Sequence, residues 1–160
     1  MRISFDLDGT LFVRELPSPP ADPKEGSICE GEKVAGLRIG TRNLLNTLAL
    51  AGWDIWIYTS SYRGKSDILN LFSQLVLPLS GVINRQIHEG MCVELGTDPL
   101  SVPNKMPPWF GIDLHVDDSP AVAEEGRTHG FRVCLVGASD PCWVDHVLSS
   151  AFLLSHTHSE

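Results

Sequence analysis

Short apolar runs typical of strands alternate with amphipathic, helix-like segments along almost all of this 160-residue chain. The predicted strands are 3–5, 53–58, 81–84, 112–116 and 131–136. The predicted helices are 41–51, 66–77, 120–129 and 143–154. Thr41 is expected to cap the first helix, with Gly52 at its end. Strands that alternate with helices imply right-handed crossovers. The sequence therefore predicts an α/β fold, a three-layer, Rossmann-like domain with five mainly parallel strands and helices on both faces.

Two stretches lie outside this alternation. Residues 12–40 open with a segment rich in proline, glycine and glutamate that lacks a helical period, so we predict an irregular flap that leads into the first helix. Residues 86–108 contain several turn residues and are predicted to be mainly loop. Neither stretch suits a helical cap domain. We therefore predict one domain over 1–154, without a cap, followed by a polar tail at 155–160.

Composition restricts the compartment and the partners. A net charge of −8 leaves no basic face, which weighs against nucleic-acid and anionic-membrane binding but not against a phosphorylated substrate. The four cysteines have no C-x-x-C spacing, so we predict a reducing cytoplasm, without disulfides or a zinc site. No apolar run approaches the ~18–20 residues of a membrane helix, and no signal peptide is expected.

Polar residues follow three of the predicted strands, at the point where each strand ends. In chain order they are Asp6, Asp8 and Thr10 (with Gly9 between them), then Thr59 and Ser60, and then Asp117 and Asp118. Ligands bind beyond the carboxyl ends of the strands in open parallel sheets. Two acids directly behind an apolar strand are typical of metal and phosphate chemistry, and Gly9 gives the chain the freedom to turn there.

Four short motifs in this order resemble those of the haloacid dehalogenase (HAD) superfamily. They are Asp6-Leu-Asp8-Gly9-Thr10-Leu11, then Thr59 after its apolar strand, then Lys105 before the fourth strand, and Asp117-Asp118-Ser119-Pro120. The resemblance spans nearly the whole chain, and it implies a Rossmann-like core that catalyses phosphoryl transfer. The last motif is also partly similar to the Asp-Asn-Ser-Pro of carboxy-terminal-domain protein phosphatases.

The resemblance implies a role for each residue of these motifs. Asp6 would be the nucleophile that forms an aspartyl-phosphate. Asp8 would protonate the leaving oxygen and later deprotonate water, the second acid that phosphatases of this superfamily carry. Thr59 would donate its hydroxyl to the phosphoryl group, and Lys105 would neutralise negative charge. The substrate-binding residues would be Gly9, Thr10, Ser60 and Arg63.

The same resemblance implies a Mg²⁺ cofactor. Asp6, the backbone carbonyl of Asp8 and Asp118 would be its ligands, while Asp117 would bind Lys105 or a metal-bound water. Clustered carboxylates raise one another's pKa values. We therefore expect Mg²⁺ to stabilise the folded protein measurably.

Several alternatives stay open at this point. Lys65 is a rival to Lys105, Ser60 is a rival to Thr59, and His115 is interpreted as a core histidine rather than a ligand. The expected substrate is a phosphomonoester, either a small molecule or a phosphoprotein, and the protein could form an oligomer. A nucleotidase or polynucleotide 3′-phosphatase is a further alternative, although the acidic charge weighs against a polynucleotide. The alternative function is a non-catalytic module that binds metal or phosphate and engages a protein partner. The pair Asp6 and Asp8 favours the enzyme, because a pure binder needs no general acid.

Overall fold

A computed structural model of the protein describes residues 1–14, 27–30 and 33–157. Its elements in chain order are β1 (Arg2–Phe5), β2 (Phe12–Arg14), β3 (Ser27–Glu30), β4 (Lys33–Leu37), α1 (Thr41–Leu50), β5 (Asp54–Tyr58), α2 (Lys65–Gln74), β6 (Gly81–Ile83), α3 (Arg85–Glu94), β7 (Leu114–Asp117), α4 (Pro120–His129), β8 (Val133–Leu135) and α5 (Trp143–Thr157). A 3-10 turn at Pro107–Phe110 precedes β7. Strands and helices therefore alternate from α1 onward, as an α/β domain requires.

The centre of the fold is a five-stranded sheet in the order β6-β5-β1-β7-β8, with every neighbouring pair parallel. Ile3 and Phe5 are fully buried in β1, because the middle strand of a parallel sheet is covered on both faces. Leu44, Leu45 and Leu48 of α1 join the same core, since their spacing puts them on one side of the helix. The predicted α/β fold with a parallel five-stranded sheet is confirmed, and its arrangement is compatible with a Rossmann-like domain.

The start of α1 differs from the prediction, although its end does not. Gly40 occupies the N-cap position with a φ of 89°, and Thr41 is the first helical residue. The N–H of Thr41 closes the turn by donating to the carbonyl of Arg38 at 3.1 Å. The turn needs a left-handed backbone conformation at residue 40, which only glycine adopts easily. The prediction of Thr41 as N-cap is therefore wrong. Gly52 follows the helix with a φ of 83°, as expected.

Helix α3 occupies part of the stretch that was predicted to be mainly loop. Asn84 caps it, because its side-chain oxygen accepts the N–H of Ile87 at 3.0 Å. The buried positions are His88 and Cys92, one turn apart. A histidine and a cysteine do not make an apolar stripe in the sequence, so the periodicity that predicts a helix is weak here. The loop prediction is wrong for residues 86–94, which belong to α3 (Arg85–Glu94).

The predicted flap also contains regular structure. Strands β2, β4 and β3 form an antiparallel sheet in that order, and Phe12 pairs with Leu37 in its ladder. Both of these side chains are buried. The irregular prediction is wrong for these strands. β2 pairs with β4 across a long stretch of chain, so no short segment of the sequence contains both strands. The parts of the predicted flap at 15–26 and 31–32 lie outside the described residues.

The end of the chain is helical for longer than predicted. Helix α5 continues to Thr157, so 155–157 belong to the helix rather than to a polar tail, and 158–160 lie outside the described residues. The hydroxyl of Ser155 donates to the carbonyl of Ala151, one turn earlier, at 3.3 Å. The hydroxyl of this polar residue is thus satisfied within the helix itself.

Two further findings concern membrane helices and cysteines. Within the described ranges, no helix is both long and apolar enough to cross a lipid bilayer. The cysteines whose side chains are described, Cys92, Cys134 and Cys142, are all free thiols.

Candidate active site

Three neighbouring strands deliver the acidic and hydroxyl residues to one edge of the sheet. The register pairs Phe5 of β1 with Ile57 of β5 on one side and with Val116 of β7 on the other. The next residue of β1, Asp6, continues this ladder, and its N–H donates to the carbonyl of Val116 at 2.9 Å. Asp6 therefore lies at the carboxyl end of the central strand, between the ends of β5 and β7.

Lys105 is buried against two of these carboxylates. Only 3% of the residue is exposed. Its Nζ donates to Oδ1 of Asp6 at 2.7 Å and to Oδ2 of Asp117 at 2.5 Å. Lys65, the rival in the sequence, is exposed at the start of α2. The fold therefore brings Lys105, and not Lys65, into the acidic cluster.

The two carboxylates that share Lys105 titrate in opposite directions. Burial raises the pKa of Asp6 to about 6, although Lys105 opposes that shift. Burial also acts to raise the pKa of Asp117, but the hydrogen bond from His115 and the charge of Lys105 outweigh it. The pKa of Asp117 is therefore well below its usual range. In the metal-free site the negative charge is fixed on Asp117, and Asp6 is the carboxylate that takes up a proton first.

His115 connects the cluster to the interior of the sheet. It is fully buried, and burial together with the charge of Lys105 lowers the pKa of His115 to about 4, so its ring is neutral. Its Nε2 lies 2.9 Å from Oδ2 of Asp117 and its Nδ1 lies 2.7 Å from Oγ of Ser4. A neutral ring that donates from Nε2 to Asp117 accepts the hydroxyl of Ser4 at Nδ1. The interpretation of His115 as a core histidine with satisfied hydrogen bonds is confirmed.

The sequence did not identify the contact of Ser4 and His115 with the acidic cluster. These two residues are direct partners in the pairing of β1 with β7. Both are polar residues in otherwise apolar strands, and this was the available signal. The contact can be recognised from the sequence only when β1 and β7 are aligned so that Asp6 and Asp117 lie at the same edge of the sheet.

Asp117 and Asp118 are adjacent but have different surroundings. Asp117 is buried, and besides Lys105 and His115 it accepts the N–H of Ser119 at 2.9 Å. Asp118 is half-buried and accepts the hydroxyl of Thr10 at 3.1 Å. Asp117 is therefore largely committed to protein donors, whereas Asp118 keeps more of its oxygen lone pairs available.

The carboxylates fit a hard divalent cation. One oxygen from each of Asp6, Asp117 and Asp118 lies within 4.8 Å of the others. Carboxylate oxygens are the ligands that Mg²⁺ prefers, together with retained waters. Among the described residues, this group consists of Asp6, Asp117 and Asp118 and does not include the carboxylate of Asp8. Asp6 and Asp118 are the side chains with the most available oxygens.

Asp8 lies on the more open side of the cluster. It is half-buried, and its Oδ1 is 3.6 Å from a guanidinium nitrogen of Arg63. The turn that follows is closed by the N–H of Gly9 on the carbonyl of Phe12 at 2.8 Å. Gly9 has a φ of 89°, and a Cβ there would collide with the carboxylate of Asp118. Only glycine therefore lets the turn after Asp8 approach Asp118 so closely.

Thr59 and Ser60 differ clearly in burial. Thr59 is 2% exposed, and its Oγ1 accepts the N–H of Ser61 at 3.2 Å. Ser60 is exposed. Thr59 is thus buried and held at the end of β5, whereas Ser60 is accessible to solvent.

Arg38 supports the turn that carries Thr10 and was not identified from the sequence. Its guanidinium is buried over the ring of Trp143, 4.5 Å from the centroid. It donates to the carbonyls of Gly137 at 2.6 Å and Asp140 at 3.1 Å, and more distantly to that of Thr10. It belongs to the stretch predicted as irregular flap, where an isolated arginine gives no signal of burial.

Comparisons with known proteins add no family assignment. The chain matches no protein-family model, and no curated protein matches it with significant similarity.

Proposed function

We propose that this protein is a HAD-type, Mg²⁺-dependent phosphatase that hydrolyses a phosphomonoester through an aspartyl-phosphate on Asp6. The observation that carries the proposal is the buried lysine, Lys105, held between Asp6 and Asp117 where three parallel strands end. A buried cation shared by two carboxylates is costly to build for stability alone. A reaction centre that binds an anionic phosphoryl group would need such a cation. Membership of the HAD superfamily is part of the proposal.

The reaction follows from the two carboxylates of the first motif. A carboxylate oxygen of Asp6 attacks phosphorus, and the bond from phosphorus to the leaving oxygen breaks. Asp8 gives its proton to that oxygen, so that an alcohol departs and an acyl phosphate remains on Asp6. Asp8 then removes a proton from water, which attacks phosphorus and releases inorganic phosphate. Both carboxyl groups return to their starting states, as general acid–base catalysis requires.

Lys105 and its partners would supply fixed positive charge in this reaction. The ammonium group of Lys105 lies 2.7 Å from the attacking residue, so it can stabilise negative charge that develops on the phosphoryl group. Asp117, held by His115 and by the N–H of Ser119, keeps the ammonium group in place. Fixed charges of this kind need no reorganisation as the reaction proceeds.

Mg²⁺ would bind at Asp6 and Asp118, with the carbonyl of Asp8 as a further ligand. When bound it supplies Lewis-acid stabilisation of phosphoryl oxygens. Asp117 is the poorer candidate, because three protein donors already occupy its oxygens.

The substrate contacts would come from the open side of the site. Arg63, beside Asp8, is the group there that suits an anionic phosphoryl or neighbouring substrate group. Gly9, Thr10 and Ser60 complete the proposed contacts, with Gly9 and Thr10 acting mainly through the turn that they build. The substrate is proposed only as a phosphomonoester, whether small or part of a phosphoprotein.

The test is hydrolysis of an aryl phosphate with and without Mg²⁺. Wild type should turn over only with Mg²⁺, and Asp6→Asn and Asp8→Asn should each abolish turnover. The matched control is Asp54→Asn, the same change at an exposed aspartate at the opposite end of β5. Mg²⁺ binding without turnover of any phosphomonoester in a broad panel would contradict the proposal and favour the non-catalytic module.

A further inference from the structure

Tyr58, the residue before Thr59, makes two buried hydrogen bonds through its hydroxyl group. Its hydroxyl oxygen accepts the backbone N–H of Met106 at 2.8 Å and lies 2.6 Å from Nδ1 of His88. The hydroxyl has a single proton, and the neutral imidazole nitrogen is the acceptor within reach. Tyr58 therefore donates to His88 and accepts from Met106 at the same time, and both rings are buried.

The same two rings also hold the residues that follow Met106. His88 stacks on Trp109 with centroids 5.6 Å apart and planes at 20°. Phe110 meets the ring of Tyr58 edge-on, at 5.5 Å and 81°. Contacts of this geometry are favourable for aromatic rings. Tyr58 and His88 thus bind the 3-10 turn at Pro107–Phe110 as well as the amide of Met106.

This attachment matters because the segment around Lys105 has few other backbone donors. Pro103, Pro107 and Pro108 have no N–H. The N–H of Met106 belongs to the peptide group directly after Lys105, so its bond to Tyr58 fixes the backbone from which the lysine side chain extends. A lysine side chain is flexible, because it has four rotatable bonds. A shift of its Cα therefore changes the position from which the ammonium group must reach its partners.

We propose that Tyr58 and His88 are positioning residues that hold Lys105 against Asp6 and Asp117 for the proposed reaction. Helix α3 brings His88 to Tyr58, Tyr58 fixes the amide of Met106, and Lys105 then reaches its two carboxylates. The catalytic consequence of this chain of contacts rests on the proposed function. The placement of Lys105 does not, and can be measured separately.

The kinetic test is Tyr58→Phe, which removes only the hydroxyl. We expect kcat to fall by about 10- to 100-fold, the usual effect of misplacing a catalytic group, with little change in KM. In a Lys105→Met background the same substitution should cause no further loss, because its effect acts through the lysine. Equal fold losses in both backgrounds, or an unchanged kcat for Tyr58→Phe, would overturn the proposal.

A second measurement does not depend on activity. Lysine acylation by a small N-hydroxysuccinimide ester, followed by mass spectrometry, compares buried Lys105 with exposed Lys65 in the same molecule. Wild-type Lys105 should react slowly, and Tyr58→Phe should raise its rate several-fold relative to Lys65. An unchanged ratio in the folded variant would overturn the positioning role. If wild type is inactive on every phosphomonoester, the proposed function fails, and this ratio alone decides the inference.

Two more variants keep the result independent of folding defects. His88→Phe retains a ring against Trp109 but loses the acceptor nitrogen. It should lower kcat and raise the ratio of the Lys105 to the Lys65 acylation rate (the Lys105 ratio), each by a smaller factor than Tyr58→Phe does. Tyr62→Phe removes a hydroxyl from an exposed tyrosine that bonds to Glu89 instead. It should leave the Lys105 ratio at the wild-type value. An equal rise in both tyrosine variants would contradict a specific role of Tyr58.

Discussion

The candidate site has two halves on either side of Asp6. The inner half consists of Ser4, Lys105, His115 and Asp117, all buried and joined by hydrogen bonds of 2.5–2.9 Å. The outer half consists of Asp8, Ser60, Arg63 and Asp118, which are half-buried or exposed. Arg63 and Asp8 are 3.6 Å apart. The inner half is therefore fixed before any ligand binds, while the outer half, the side proposed to face the substrate, can still change its partners.

The largest effect on stability is expected from the inner half. Lys105→Met removes the cation shared by Asp6 and Asp117 and leaves their charges buried, which should lower the free energy of unfolding by about 3–5 kcal/mol. Urea denaturation without Mg²⁺ measures this. The control is Lys65→Met, an exposed position where a change within about 0.5 kcal/mol is expected. Equal effects of the two substitutions would show that the inner half is not a stabilising unit.

Mg²⁺ should distinguish Asp117 from Asp118. At about 100 times its Kd, a ligand that binds only the folded state adds about 2.7 kcal/mol to its stability. We expect Asp118→Asn to lose most of this gain, because its oxygens are the more available. Asp117→Asn should keep much of the gain but start from a less stable protein. Thermal unfolding with Mg²⁺ or EDTA is the measurement, and the reverse ranking would exchange the roles of the two residues.

Asp6 should oppose folding at neutral pH in the absence of metal. Its folded-state pKa of about 6 lies above 3.8, the ordinary value for an aspartate. The stability that this carboxyl contributes is therefore present at low pH and is lost as the pH rises through about 6. Asp6→Asn should be more stable than wild type at pH 7, by about 2 kcal/mol, and equal to it below about pH 4. Denaturation in EDTA across this range checks it, and a less stable Asp6→Asn at pH 7 contradicts it.

A matched pair of serines gives the smallest expected difference. Ser4→Ala leaves Nδ1 of the buried His115 without a donor, which should cost about 1–3 kcal/mol. Ser60→Ala changes an exposed hydroxyl and should stay within about 0.5 kcal/mol. Urea midpoints of the two variants make the comparison. A larger loss for Ser60→Ala would mean that the outer half is also fixed by its own contacts.

The site at the edge of the sheet was predictable because short local patterns mark where each strand ends. Asp6 and Asp117 each follow an apolar run, and parallel strands bring their carboxyl ends together. Lys105 came only from the resemblance to a family, since a lysine in a loop has no local signature of burial. The contact of Ser4 with His115 needs the register of β1 against β7, which no single segment contains.

The regions that were predicted wrongly give weak signals in the sequence, each for its own reason. Helix α3 buries His88 and Cys92, whose polarity hides the helical period. The ladder of β2 with β4 joins segments separated by a long stretch of chain. Gly40, and not Thr41, is the N-cap of α1, because the turn before the helix requires a left-handed backbone conformation at this position.

A covalent phosphoryl group on Asp6 is what separates an aspartyl-phosphate enzyme from any other use of this site. Asp8→Asn, incubated with Mg²⁺ and an aryl phosphate, should accumulate it, since a good leaving group needs no acid but the attacking water needs a base. Acid quenching and borohydride reduction would then convert the acyl phosphate to an alcohol, which is detected in the peptide that contains residue 6. We predict this product with Mg²⁺ and its absence with EDTA. Unmodified Asp6 in Asp8→Asn, under conditions in which the wild type turns over, would contradict the nucleophilic role of Asp6.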